Sequence, residues 1–282
     1  MSRLKFAAAV ALSVSLVAAP VAAQTAADWR TVEPQNLLVI DTNKGRILVE
    51  LDPRVAPLAV ERIRTLADQG FYDGLKFHRV IAGFMAQTGD PLGTGQGGSP
   101  LPDLTAEFQF RRGRDAGFVQ VLPSPQGQLG VMGSMPVTTQ PDAQMMITAD
   151  FKATGQALFC AGVAGMARNG QDYDSANSQF FLMNAERDDL NGQYTPFGRV
   201  VAGLEVVRAL KVGAGPNGAV TDPDVMTRTR TAAALPEAGR PSVRVMVPAS
   251  PAFTAFVEQT KTARGAAFNV CDAQPPAEVI GG

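Results

Sequence analysis

The run Phe77-His78-Arg79-Val80-Ile81-Ala82-Gly83-Phe84-Met85-Ala86-Gln87-Thr88-Gly89-Asp90 concentrates most of the chemistry this chain can offer. It sets one permanent cation, Arg79, and one neutral amide, Gln87, among apolar side chains, and it holds the only histidine of the protein. Further along, Ser178-Gln179-Phe180-Phe181 places a second amide beside aromatics. An apolar pocket with a guanidinium at its wall is poorly suited to hydrolysis or redox chemistry. It suits a neutral, ring-shaped guest that takes a hydrogen bond at its edge, such as a proline within a peptide.

Other chemistries find little support. A Ser-His-Asp or Cys-His site would have to use His78. His78 adjoins Arg79 in a strand-like run, so the two side chains point to opposite faces. No nucleophile elbow lies nearby, and His78 reads as a core residue or one supporting the site from behind. Two cysteines and one histidine are too few for a structural zinc site. Gly93-Thr94-Gly95-Gln96-Gly97-Gly98 is glycine-rich, but no Lys-Ser/Thr follows and no helix pattern opens there, so it is not a phosphate loop. Asp188-Asp189 reads as a solvated acidic patch.

The elements that must position these residues are short. Residues 36–41 and 45–51 are β-rich runs joined by Thr42-Asn43-Lys44-Gly45, which predicts a hairpin. Residues 56–70 predict a helix, with Pro57 in its first turn, Gly70 at its end, and Val60, Ile63, Leu66 and Ala67 on one face. Residues 76–87 read as two strands broken at Gly83. Strand patterns return at 163–168, 179–183 and 196–201, followed by a short helix over 204–211. A strand over 242–247 and a helix over 253–264 form an appendage. Residues 24–35 lack periodicity. Between 99 and 155 five prolines (102, 123, 125, 136 and 141) exclude a long helix, and only 117–122 and 129–132 suggest strands.

Composition bounds the setting. The chain has 282 residues, 45% of them hydrophobic, enough for one large or two small domains. A formal net charge of −1 with no basic block gives nucleic acid no electrostatic foothold. The first residues read as an export leader. Arg3 and Lys5 precede an apolar run that ends at Ala18-Ala19-Pro20-Val21-Ala22-Ala23, and Val21 and Ala23 fit a small-residue cleavage site before Gln24. The run is shorter than the roughly 20 residues a membrane span needs. Export makes Cys160 and Cys271 a candidate disulfide, the alternative being two buried thiols.

Taken together, Phe77-His78-Arg79 through Gln87, the glycine loop at 93–98, Gly165-Met166-Ala167-Arg168, Ser178-Gln179-Phe180-Phe181 and Phe197-Gly198-Arg199-Val200 resemble the cyclophilin-type peptidyl-prolyl cis/trans isomerases. The resemblance covers residues 36–98 and 160–213. It implies a mainly β fold, a closed eight-stranded antiparallel barrel capped by two helices. To this the chain adds a long insertion at about 103–159 and a C-terminal strand-helix extension. The corresponding division is a leader over 1–23, a cyclophilin-like domain over 24–235 and an extension over 236–282 packed on the barrel.

The leader pattern implies export, and its short signal together with the bacterial look of Met166-Ala167-Arg168 implies the periplasm; the resemblance adds a monomeric, cofactor-free isomerase. Its partners would be proline-containing, unfolded or flexible exported proteins, with no nucleic acid and no membrane span after leader cleavage. Arg79 and Gln87 take the catalytic positions. Phe84, Met85, Phe181 and Leu190 form the socket for the proline ring. Gln179, the backbone at Ala167 and Arg168, and Tyr194 hold the flanking peptide. A client-binding chaperone with little isomerase activity is the alternative. Two departures stand out: Asp189 where many relatives carry Trp or Phe, removing an aromatic wall against which cyclosporin packs, and Tyr194 where a histidine often follows. The insertion allows a lid, a partner surface or a structural elaboration.

Overall fold

A computed structural model describes residues 24–125 and 127–281. The leader expected over 1–23 lies outside them. The first strand, β1 (Trp29–Thr31), falls in the segment expected to be irregular. Next come β2 (Leu37–Thr42) and β3 (Gly45–Leu51), then α1 (Pro57–Asp68), β4 (Arg79–Ile81) and β5 (Met85–Thr88). The insertion supplies β6 (Phe110–Arg112), β7 (Phe118–Ser124), β8 (Gly127–Met132), β9 (Met135–Thr139) and β10 (Ala153–Ala157). The chain continues with β11 (Val163–Met166), β12 (Phe180–Met183), β13 (Pro196–Ala202), α2 (Leu204–Ala209) and β14 (Met226–Thr231). Last come β15 (Ser242–Met246), α3 (Pro251–Arg264) and β16 (Ala277–Gly281).

The main sheet is eight-stranded and antiparallel, in the order β14-β2-β3-β13-β11-β12-β5-β4. It curls around a core that α1 and α2 help to fill. No continuous ladder closes the seam between β4 and β14. Isolated bridges, Lys76 with Val225 and Arg79 with Ala219, span it instead. Helix α1 turns Ala59, Val60, Ile63, Leu66 and Ala67 inward. Proline opens it, and the Glu107 carboxylate accepts from the free N–H groups of Leu58 (3.0 Å) and Ala59 (2.9 Å).

The run Leu37-Leu38-Val39-Ile40 does not alternate with polar residues because both faces of β2 are covered. Leu38 and Ile40 enter the barrel core, while Leu37 and Val39 pack outward against Val243 and Val245. Those outer partners belong to a second sheet, β1-β15-β16, which joins the segment after the leader to the tail.

The insertion is a five-stranded antiparallel sheet, β6-β10-β9-β8-β7. One side buries Phe110, Met132, Met135 and Val137, with Phe159 at the insertion's end, against Phe181 and Met183 of the main domain. Val121 and Val131 pack with Phe253 and Val257 of α3. Both faces of its sheet thus pack inside the molecule, while Met146, Ile147 and Phe151 of its β9–β10 connection are exposed. Pro136 sits inside β9, where its carbonyl still accepts from Leu158 N–H at 2.9 Å. The prolines thus ruled out a helix without ruling out strands.

Cys160 and Cys271 form a disulfide spanning 111 residues. It joins the chain just after the insertion to the tail, as does a hydrogen bond from Gln274 to the Ala161 carbonyl (3.0 Å), while Arg199 of β13 donates to the Pro275 carbonyl (2.8 Å). A Cys160→Ala/Cys271→Ala double variant is expected to lose up to about 4 kcal/mol of unfolding free energy in the chain-entropy account. Denaturant titration checks this, and an unshifted midpoint would show the crosslink to be energetically idle.

Candidate functional site

The β4–β5 hairpin turns at Gly83, whose φ of 66° favours a residue without Cβ. Its register pairs Arg79 with Gln87 and Ile81 with Met85, so each pair shares a face. The Arg79 Nη1–H donates to Gln87 Oε1 at 3.1 Å and its Nε–H to the Asn217 carbonyl at 2.8 Å. Because arginine only donates, Gln87 must present its oxygen to Arg79 and its NH2 elsewhere. That NH2 donates to Gln179 Oε1 at 2.9 Å, and the Gln179 NH2 donates to the Gly97 carbonyl at 2.8 Å. The result is a one-way relay from guanidinium to glycine loop. Arg79 Nη2 has no hydrogen-bond partner among the described residues. Burial holds the Arg79 pKa below the ordinary arginine value. Its partners here are neutral.

Beside the relay lies a pocket of about 330 Å³ lined by Arg79, Phe84, Met85, Gln87, Ala167, Arg168, Phe181, Leu190 and Tyr194, with Arg187 and Asp189 at its margin. Phe181 is the floor. Its ring sits 5.6 Å from that of Phe159 behind it and meets Tyr194 edge-on at 5.5 Å. Gly165 lies across from Phe181 in the sheet, and a Cβ there would stand 2.6 Å from Phe159 and 2.7 Å from Phe181. Only glycine lets the two rings close up. Gln179 opens onto an adjoining depression of about 480 Å³ that shares Gln87, Ala167 and Arg168 with the first.

All ten side chains singled out as catalytic or peptide-binding therefore meet around two connected hollows. Two details differ from expectation. The Ala167 N–H is already given to the Gln179 carbonyl at 2.9 Å, so it is not free to pair with an added strand. Arg168 acts through its side chain as well as its backbone. It donates to the carbonyls of Gln193 (2.9 Å) and Asn169 (2.8 Å) and lies 4.7 Å from the Tyr194 ring and 4.4 Å from that of Tyr173.

Sequence reasoning missed Arg187. It stacks 4.5 Å from the Phe84 ring and holds Asp189 by two hydrogen bonds of 2.8 and 2.7 Å. Asp189 is thus no isolated solvated acid: an ion pair laid on Phe84 stands at this margin of the pocket. A polar loop has no periodicity, so nothing in the sequence announced it. No residue of the insertion lines the pocket, although its end braces the loop. The Phe159 N–H donates to Asn191 Oδ1 (2.8 Å), and the Arg187 N–H donates to the Phe159 carbonyl (2.9 Å).

The glycine loop folds around its own anion. Asp90 is 1% exposed and accepts from the N–H groups of Leu92 (2.7 Å), Thr94 (2.8 Å) and Gly95 (2.6 Å). Burial raises its pKa, but these donors outweigh it and the net shift is downward. His78 is buried too, and among the described residues neither ring nitrogen has a hydrogen-bond partner. Burial favours the neutral ring and lowers its pKa below 6.5, against the opposing pull of Asp90.

The chain matches the family model described as cyclophilin type peptidyl-prolyl cis-trans isomerase/CLD over residues 37–231. It is 35% identical over 235 residues to a probable peptidyl-prolyl cis-trans isomerase of Brucella suis biovar 1 (strain 1330), covering 79% of this chain and 91% of that one. It is 32% identical over 173 residues to a peptidyl-prolyl cis-trans isomerase-like 1 of Aspergillus oryzae, covering 61% and 80%. The crystal structure of cyclophilin AquaCyp293 from Hirschia baltica superposes with a TM-score of 0.80 at 33% identity, covering 90% of this chain and 94% of that one.

With its folded pKa depressed, His78 supports the fold fully above pH 6.5, and that support is lost as pH falls through the folded value. As the lone histidine, it should give one imidazole Cε1–H signal in NMR with a midpoint below 6.5. A midpoint at or above that would contradict the burial argument.

Proposed function

This chain belongs to the cyclophilin-type peptidyl-prolyl cis-trans isomerases, and from that premise we propose that it speeds X-Pro rotation in exported polypeptides by catching the twisted amide beside Arg79. The observation that carries this reading is a guanidinium with a free donor, fixed by Gln87, at the wall of an apolar socket.

The barrier to amide rotation is about 18–20 kcal/mol, because resonance stiffens the C–N bond. No bond to the enzyme is required. Catalysis needs only tighter binding of the twisted amide than of either planar isomer. Twisting localises a lone pair on the proline nitrogen. A donor from Arg79 aimed at that nitrogen gains strength as the lone pair forms and so lowers the barrier selectively. Phe84, Met85, Phe181 and Leu190 hold the ring while the rest of the peptide turns. Gln179 and the surface around Ala167 and Arg168 hold the flanking chain. Tyr194 closes the socket with an aromatic face.

A role in an oxidising compartment draws support from the Cys160–Cys271 disulfide, and the leader pattern at 1–23 agrees with it. In this reading the periplasm is the site of action, and unfolded or flexible exported chains are the clients of a monomeric enzyme. A rival client-binding role draws on Asp189 and on the insertion, whose sheet is packed on both faces but whose β9–β10 connection exposes Met146, Ile147 and Phe151.

Arg79→Ala is expected to lower kcat/KM on a proline tetrapeptide at least about tenfold, or some 1.4 kcal/mol of barrier. Its thermal unfolding should stay near that of the parent. A protease-coupled isomerase assay with a melting curve checks both. Undiminished turnover would remove Arg79 from the mechanism.

A further inference from the structure

Charge is distributed unevenly along the groove. Three guanidiniums border the proline socket. Arg79 and Arg187 lean on the same ring, 6.0 and 4.5 Å from the centre of Phe84. Arg168 lies 4.7 Å from the ring of Tyr194 on another side. The socket has one lining carboxylate, Asp189, and Arg187 already holds it. Arg79 bonds to the Asn217 carbonyl and the Gln87 amide. Arg168 bonds to carbonyls of Gln193, Asn169 and Gly170. Neither forms an ion pair with a carboxylate among the described residues, so two cationic charges at the socket stay uncompensated. Asp103 lines the adjoining depression, where it accepts from the Asn177 amide at 2.8 Å and forms no ion pair with Arg168.

Resting on the isomerase reading above, we propose that the enzyme selects prolines flanked by an acidic residue, with Arg168 as the principal determinant and the Arg187–Asp189 pair as its modulator. A peptide laid with its proline in the socket brings the side chain of a neighbouring residue to this rim. A carboxylate there enters the field of a socket whose lining carries two unneutralised guanidiniums, and a lysine meets repulsion. Half-exposed charges of this kind act mainly on capture, so the preference belongs in KM and kcat/KM and is screened by salt. The burial of Arg79 strengthens its share of the field.

The test uses the full processed protein and two peptide series, with Glu, Gln or Lys placed directly before or directly after a single proline. At one of these positions the Glu peptide should exceed the Gln peptide in kcat/KM by about threefold or more at low ionic strength, with Lys below Gln. The ratio should approach one in 1 M salt. Arg168→Gln should lower the Glu-to-Gln ratio. Asp189→Asn, which unmasks Arg187, should raise it, and this second variant keeps the test decisive if the first folds poorly. Equal turnover of Glu, Gln and Lys peptides at both positions would overturn the charge selection and leave the isomerase intact. Failure to turn over any of them would overturn the isomerase reading and this inference with it.

Discussion

The site depends on a hydrogen-bond relay that can run in only one direction. Arginine has no acceptor, so Arg79 dictates the orientation of Gln87, which dictates that of Gln179, which ends on the Gly97 carbonyl. Each amide is polarised by the one before it. The relay ties β4, β5, β12 and the glycine loop together across the groove. Asp90 pins the other side of that loop from below with backbone N–H groups. A flexible-looking glycine segment is therefore held from both sides by side chains whose orientation is fixed.

Two additions cover parts of the outer surface of the main sheet. The sheet of β1, β15 and β16 buries Leu37, Val39 and Leu48, and the insertion buries the back of the aromatic floor. Phe159 marks where these additions reach the chemistry. It supports Phe181 with its ring, donates its N–H to the Asn191 side chain and accepts from the Arg187 N–H, in the loop that carries Asp189. The insertion thus shapes the pocket from behind without entering it.

Where a side-chain pattern reports one local constraint, the sequence was readable. The Thr42-Asn43-Lys44-Gly45 turn, the inward stripe Val60-Ile63-Leu66-Ala67 and the Arg79/Gln87 spacing across Gly83 each came through, because hairpin register and helical period follow from neighbours. The insertion did not. Its strands owe their stability to partners remote in sequence, such as Phe181 and Phe253, and its prolines masked a sheet in which Pro136 keeps only its acceptor. Strand β1 was equally invisible, since its partner β15 lies more than two hundred residues on. Arg187 escaped notice because its importance is a stacking distance on Phe84, not a motif.

The disulfide also imposes an order of assembly. Cys160 is made long before Cys271, so its thiol must wait while β11 through α3 are synthesised. Phe159, one residue away, gains its covalent anchor only after the tail has arrived. Until then the segment at Phe159 has its ring contact with Phe181 and its hydrogen bonds to Asn191 and Arg187, but not the crosslink beside them.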